Sequence, residues 1–365
     1  MKYKIYLTKK NQYEAVKYYI DIIYEAIHQI NENTYCKIIH SDDDIEIGDL
    51  LITIEPETLF RIYIKYNILK KYKVNFINWY QGVVPIEAEQ IYRDNLKNIN
   101  KKNIFYKIYS IFRVLYLKYC ESFSIKKSIL NIFVSKEMEK YYKDKYKRNN
   151  IKSIIMPCFN SDIKYESFAN YKKYTELTFV YAGNIAPWQC IDKTLLLYQE
   201  IEKIFKSAKL YILTFDVKRM NEIIKNYKIN NVEIYNVKLE KLNDEISRFK
   251  YGFLIRENNV INNVATPVKM NTYLANGVIP IFSSKSIKDF NIIANMTNYK
   301  VDFDIDNQNW VNDIINKLEN IEMIKIEAEN IYKQYNNIFN NYYNKKYYLK
   351  LLIDEFMEIE ENMRL

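Results

Sequence analysis

The 365-residue chain holds only five glycines, six prolines, four cysteines and two histidines, and each shortage excludes something. Cys36, Cys120, Cys158 and Cys190 lack the paired spacing that metal and redox motifs need, and His28 and His40 are the sole imidazoles. A His/Cys zinc site is therefore not expected, and scattered reduced thiols suit a cytoplasmic protein. The opening residues MKYKIYLTKK show no apolar signal block, and Lys or Arg interrupts every run that could span a membrane. No helix-turn-helix, zinc-finger or RNA-binding signature is present, so nucleic acid is not the expected partner.

Hydrophobic residues make up 48% of the chain and charged ones 27%, the balance of a globular protein long enough for two domains. Most of the 36 tyrosines read as amphipathic packing residues. A net charge of +9 favours an anionic ligand such as a nucleotide or a lipid headgroup.

Short β-branched or aromatic runs alternate with longer amphipathic ones. Strands are expected at 2–7, 49–54, 73–80, 130–135 and 152–157, with helices at 11–31, 57–71, roughly 86–121 and 136–146. Ser135 stands where an N-cap belongs. A polar stretch at 160–176 reads as a linker. A second series follows, with strands at 177–183, 209–215, 232–237, 251–256 and 278–283 and helices at 192–206, 217–228, 240–248 and 267–276. Residues 307–365 are helical by pattern. Two blocks of strand–helix alternation predict two parallel-sheet α/β domains, here placed at 1–165 and 166–335, with 336–365 as a C-terminal helical segment.

Gly82, Pro85, Pro157, Gly183 and Pro187 all follow expected strands, where open α/β sheets bind ligands. Facing strand ends would form a cleft between the domains, the expected ligand site. The stretch TPVKMNTYLANGVIPIF (266–282) concentrates two prolines and a glycine. Thr266 is read as an N-cap, Pro267 as the first helical residue and Gly277 as the C-terminal stop. Lys269 in the first turn opposes the helix dipole unless an anion is bound, and Arg256 at the end of strand 251–256 could reach the same pocket. Two cations favour a diphosphate.

The motifs YAGNIAPWQCID (181–192) and YGFLIRENNVINNVATPVKMNTYLANGVIPIFS (251–283) resemble the donor-binding domain of GT-B glycosyltransferases, closest to family 4 enzymes of bacterial polysaccharide clusters. NWYQGVVPIEAEQIY (78–92), FVSKEMEKYY (133–142) and IIMPCFN (154–160) resemble the acceptor domain of the same group. The resemblance implies two Rossmann-like domains, a nucleotide diphosphate sugar as donor, no metal or other cofactor, and a C-terminal helix returning to the first domain. It implies a retaining transfer to a glycan or lipid-linked glycan acceptor. On this reading Gly183, Asn184, Asn258, Thr266, Pro267, Thr272 and Tyr273 hold the donor, with Arg256 and Lys269 on its diphosphate. Tyr80, Gln81 and Gly82 lie on the acceptor side, with Glu87 as the catalytic carboxylate there; Glu89 and His40 are further candidates for a base.

The chain also departs from the pattern. The two glutamates usual in family 4 are replaced by Val264 and Thr272, and Gln189 and Cys190 stand near the place of the usual loop lysine. These losses motivate an alternative reading, a catalytically silent GT-B-like binding or partner subunit. A sugar-nucleotide epimerase finds no supporting set of carboxylates. Finally, residues 100–128 combine an apolar–aromatic face with seven basic residues and one acid. That segment is either a core-packed helix or an interfacial one on anionic lipid, which would place the protein peripherally on the inner face of the plasma membrane.

Overall fold

The computed structural model describes residues 2–8, 12–30, 34–98, 104–322 and 327–364. The chain divides into two compact units, Met1–Pro157 with Asn344–Leu365, and Cys158–Tyr343.

In the first unit six strands form a wholly parallel sheet: β1 (Lys2–Tyr6), β2 (Tyr35–Ile39), β3 (Leu50–Thr53), β4 (Asn75–Tyr80), β5 (Leu130–Phe133) and β6 (Ser153–Ile155). Their order is β2-β1-β3-β4-β5-β6, and the chain reverses its winding between β1 and β3. The helices of this unit are α1 (Gln12–Ile30), α2 (Pro56–Tyr63), α3 (Val84–Asn98), α4 (Ile104–Lys127) and α5 (Lys136–Tyr146). Strands β3 and β5 are buried at every residue, as sheets covered on both faces require. Ser135 caps α5, its hydroxyl accepting from the Met138 amide at 2.9 Å.

The second unit repeats the plan with β7 (Thr178–Ala182), β8 (Lys209–Leu213), β9 (Val232–Tyr235), β10 (Tyr251–Leu254), β11 (Ile279–Ser283) and β12 (Val301–Phe303). Its order is β12-β11-β10-β7-β8-β9, the Rossmann winding, with the switch point between β7 and β10. Its helices are α6 (Lys172–Thr175), α7 (Ile191–Ile204), α8 (Val217–Ile224), α9 (Leu239–Ile246), α10 (Val260–Asn263), α11 (Val268–Ala275), α12 (Lys288–Ala294), α13 (Trp310–Glu322) and α14 (Ala328–Asn341). The last helix, α15 (Lys345–Arg364), returns to the first unit and packs on α1, with Tyr3 donating to Glu360 at 3.2 Å and Lys345 paired to Glu25 at 3.2 Å.

Several expectations need correction. Strands β2 and β12 were not anticipated; both are short, and Lys37 and Asp302 interrupt their apolar residues. The single helix expected over 86–121 is two, α3 and α4, and residues 99–103 lie outside the described residues. The stretch 160–176 is no linker. Phe168, Lys173 and Tyr174 are buried in the second unit, where the Tyr174 hydroxyl donates to the Gly277 carbonyl at 2.9 Å. Nearby, the Cys158 amide donates to Thr266 and the Asn160 and Ser161 amides donate to Asn271. These bonds tie residues 158–161 to the region of α11, and the division accordingly falls at 157/158 rather than 165/166.

Candidate functional site

In the second unit the switch point sets the site. Strand β7 ends at Gly183 and β10 leads into Arg256, so both sit at adjoining C-terminal strand ends. Arg256 is 5% exposed, and two amide oxygens orient its guanidinium: Asn262 at 2.9 Å and Gln189 at 3.3 Å. Its own amide donates to Ser283 Oγ at the end of β11. Lys269, in the first turn of α11, lies partly buried with its ammonium 4.1 Å above the Tyr181 ring. Among the described residues Lys269 has no carboxylate partner. Burial, and then the charge of Arg256, hold its pKa well below the usual lysine value. An anion placed beside these two basic side chains would offset their mutual repulsion.

Gly183 is essential to this approach. It adopts φ +147°, and a Cβ there would stand 3.0 Å from both Cε and Nζ of Lys269. Two other residues around the pocket carry left-handed backbone, Cys190 (φ 51°) before α7 and Ile287 (φ 48°) before α12. For a β-branched residue such as Ile287 that conformation is strained, and strain of this kind gathers at functional sites.

The remaining donor-side residues divide. Asn184 and Asn258 are exposed on the loops after β7 and β10; Asn184 Oδ1 accepts from the Ala186 amide, and Asn258 donates to Asp306 at 2.9 Å. Thr266 is not the N-cap. Its hydroxyl accepts from Cys158 at 2.8 Å, Pro267 occupies the cap position, and α11 begins at Val268. Thr272 is 4% exposed, and its hydroxyl is engaged with Asn160 Oδ1 at 3.2 Å and the Val268 carbonyl at 3.1 Å. Tyr273 is fully buried; its hydroxyl accepts from Ala182 N and donates to the Phe253 carbonyl, joining β7 to β10 from the core. Gly277, at φ +66°, ends α11 as expected.

In the first unit Tyr80 is fully buried at the end of β4, its hydroxyl donating to Ser124 at 2.9 Å beneath the Phe133 and Tyr142 rings. Gln81 and Gly82 are partly buried, and the Gly82 carbonyl accepts from Tyr142. The Glu87 carboxylate accepts from the Val83 amide at 3.0 Å, capping the start of α3. Glu89 pairs with Arg93 and Lys118, while His40 Nδ1 lies 3.0 Å from the Leu7 carbonyl. A cavity of about 290 Å³ opens beside Val84, walled by Glu55, Glu57, Arg113, Cys120 and Glu121. Arg113 grips Glu57 with two bonds of 2.7 Å.

Sequence reasoning missed Tyr181 and Asn262, the residues that seat Lys269 and Arg256. It also missed Glu55 and Glu57, which follow β3 beside the first sheet's switch point. The alternation of strand and turn was the available signal for Glu55, since the residue after a strand that borders a winding reversal is a site position.

No family model matches the sequence, and no curated protein matches it. Solved structures do. The sucrose-phosphate synthase of Thermosynechococcus elongatus superposes with a TM-score of 0.65 at 10% identity, covering 98% of this chain and all of that one. Anabaena HepE, solved in complex with UDP-glucose, gives 0.60 at 8% identity, covering 99% of this chain and 100% of that one. The lipopolysaccharide outer core galactosyltransferase WaaB gives 0.55 at 10% identity, covering 95% and 99%. With two parallel six-stranded sheets and a final helix returning to the first, the chain has the GT-B fold of glycosyltransferases.

Proposed function

We propose that the protein is a glycosyltransferase that moves a sugar from a nucleotide diphosphate donor to a glycan or lipid-linked glycan in cell-surface polysaccharide synthesis. The observation that carries this reading is the pair of Arg256 and Lys269 at the β7/β10 switch point, desolvated and set beside each other. As the bond to the anomeric carbon breaks, negative charge develops on the departing diphosphate, and cations fixed in advance stabilise it without reorganising. A bound diphosphate would favour the charged form of Lys269, against the burial that lowers its pKa. These protein cations supply the neutralisation for which other systems use a metal. The resemblance to family 4 supports retention, which demands no enzymic base; an inverting reaction would draw on Glu87. The UDP-glucose bound by HepE makes UDP-sugars the first donors to test.

One observation favours a silent partner subunit. Val264 is buried, the Thr272 hydroxyl is already engaged, and neither offers a carboxylate to a ribose. Incubating the protein with radiolabelled UDP-, GDP-, ADP- and CMP-sugars separates the two. Transfer, or slow hydrolysis of one donor, is the expected result. Tight nucleotide binding with no turnover of any donor would establish the silent subunit.

A further inference from the structure

Helix α4 is apolar on two faces. Its buried face carries Val114, Leu117, Cys120 and Ile125 together with Ser110, Glu121 and Ser124. Its outward face carries Phe105, Ile108, Phe112, Leu115 and Tyr119, with Phe105 80% and Phe112 68% exposed. These five recur at intervals of three and four, so they form one stripe about 21 Å long. A surface helix of a globular protein turns polar and charged residues outward, and exposed apolar patches of this kind mark contact surfaces.

Charge decides what the stripe meets. Lys107, Arg113, Lys118, Lys126 and Lys127 are the basic residues of α4, and its single acid, Glu121, is buried against Lys145, Tyr142 and Tyr146. Glu57 and Glu89 of neighbouring helices engage Arg113 and Lys118, and Lys127 lies over the Tyr63 and Phe123 rings, so Lys107 and the C-terminal Lys126 set the sign of the rim. A second copy pairing through this helix would bring like charges together with no exposed acid of α4 to oppose them. Beside the stripe a groove of about 340 Å³ runs between α3 and α4, floored by Leu96, Val114 and Leu115 and edged by Arg93, Lys107 and Glu89. Among the described residues no helix is long and apolar enough to cross a membrane.

We propose that the outward face of α4 docks on an anionic lipid bilayer, lying in its interface with the phenylalanines and leucine below headgroup level and Lys107 and Lys126 among the phosphates. The exposed tyrosines Tyr109, Tyr116 and Tyr119 suit that depth, where an aromatic ring meets hydrocarbon and its hydroxyl meets water. The inference stands apart from the transferase reading, because none of these residues belongs to the donor site.

The test is vesicle flotation of the full chain on phosphatidylcholine vesicles with and without phosphatidylglycerol, at about 0.1 M and about 1 M salt, a range that shortens the screening length from about 10 to about 3 Å. Wild type should float with the anionic vesicles and lose most of that binding at high salt. Phe105→Ser/Phe112→Ser, exposed positions whose change leaves the core intact, should weaken binding roughly tenfold or more. Lys107→Ala/Lys126→Ala should weaken binding to anionic but not neutral vesicles, by roughly tenfold or more. Absence of binding to anionic vesicles at low salt overturns the proposal, as does equal binding by wild type and the Phe double variant. Sedimentation velocity covers the remaining occupant: a wild-type dimer that the Phe double variant abolishes, with no vesicle binding, would make the face a self-association surface.

Discussion

At the C-terminal ends of its strands the second unit presents Arg256 and Lys269, oriented by amides and an aromatic ring. At the matching ends the first unit presents Glu55 and Glu57 after β3 and Glu87 after β4, with Glu121 in the wall of the adjoining cavity. The backbone plan is the same, six parallel strands wound with one reversal, yet the electrostatics are opposed. In the first unit Arg113 already pairs with Glu57 and Lys145 with Glu121, so the basic pair of the second unit suits a diphosphate better than these carboxylates do. A neutral sugar can donate its hydroxyls to carboxylates, which are strong acceptors. The fold supplies the ledge in both units, and a few loop residues decide which substrate can rest on it.

Removing the cations should have the largest effect. Arg256→Ala and Lys269→Ala are each expected to cost about 2–4 kcal/mol of transition-state stabilisation in the donor-turnover assay, with the circular-dichroism spectrum unchanged. Near-normal turnover by either variant would remove that residue from the site.

The carboxylate side should respond differently. Glu121 is 1% exposed and accepts from Tyr142, Tyr146 and Lys145. Glu121→Gln is expected to lower stability by about 2–3 kcal/mol, read as a fall in thermal midpoint, while nucleotide binding by the second unit persists. An unchanged midpoint with lost transfer would instead assign Glu121 to the acceptor.

A pH-dependent effect should come from Lys173, 1% exposed, whose amine donates to the Ser167 and Asn276 carbonyls. Burial lowers its pKa from 10.5 to about 7. Between those values the unfolded chain binds a proton that the folded one does not, so the contribution is complete above 10.5 and is lost as pH falls toward 7. The stability of wild type relative to Lys173→Met should therefore rise with pH across that window, by up to about 1.4 kcal/mol per unit. Parallel pH profiles of the two proteins would show that Lys173 stays charged.

The parallel sheets were legible because their buried strands are short, largely apolar runs, DLLITI and YGFLIR among them. Strands β2 and β12 were not, since Lys37 and Asp302 break their apolar runs. At the site, Lys269 and Arg256 could be read from dipole and strand-end arguments. Their supports could not. Tyr181 and Lys269 meet only because sheet order places β7 beside β10, and a hydroxyl such as that of Thr266 looks like a cap until a distant amide, Cys158, is seen to use it. Tyr273 carries both a core signal and a motif signal, and the core environment prevails.

The central claim is that the second unit binds a nucleotide diphosphate through a lysine whose pKa burial lowers. Calorimetric titration with UDP in two buffers of different ionisation enthalpy measures affinity and proton movement together. The account predicts binding accompanied by proton uptake, because the diphosphate raises the lowered Lys269 pKa, with the uptake absent in Lys269→Met and affinity rising as pH falls. Binding without proton uptake, or binding undiminished in both Arg256→Ala and Lys269→Ala, would contradict it.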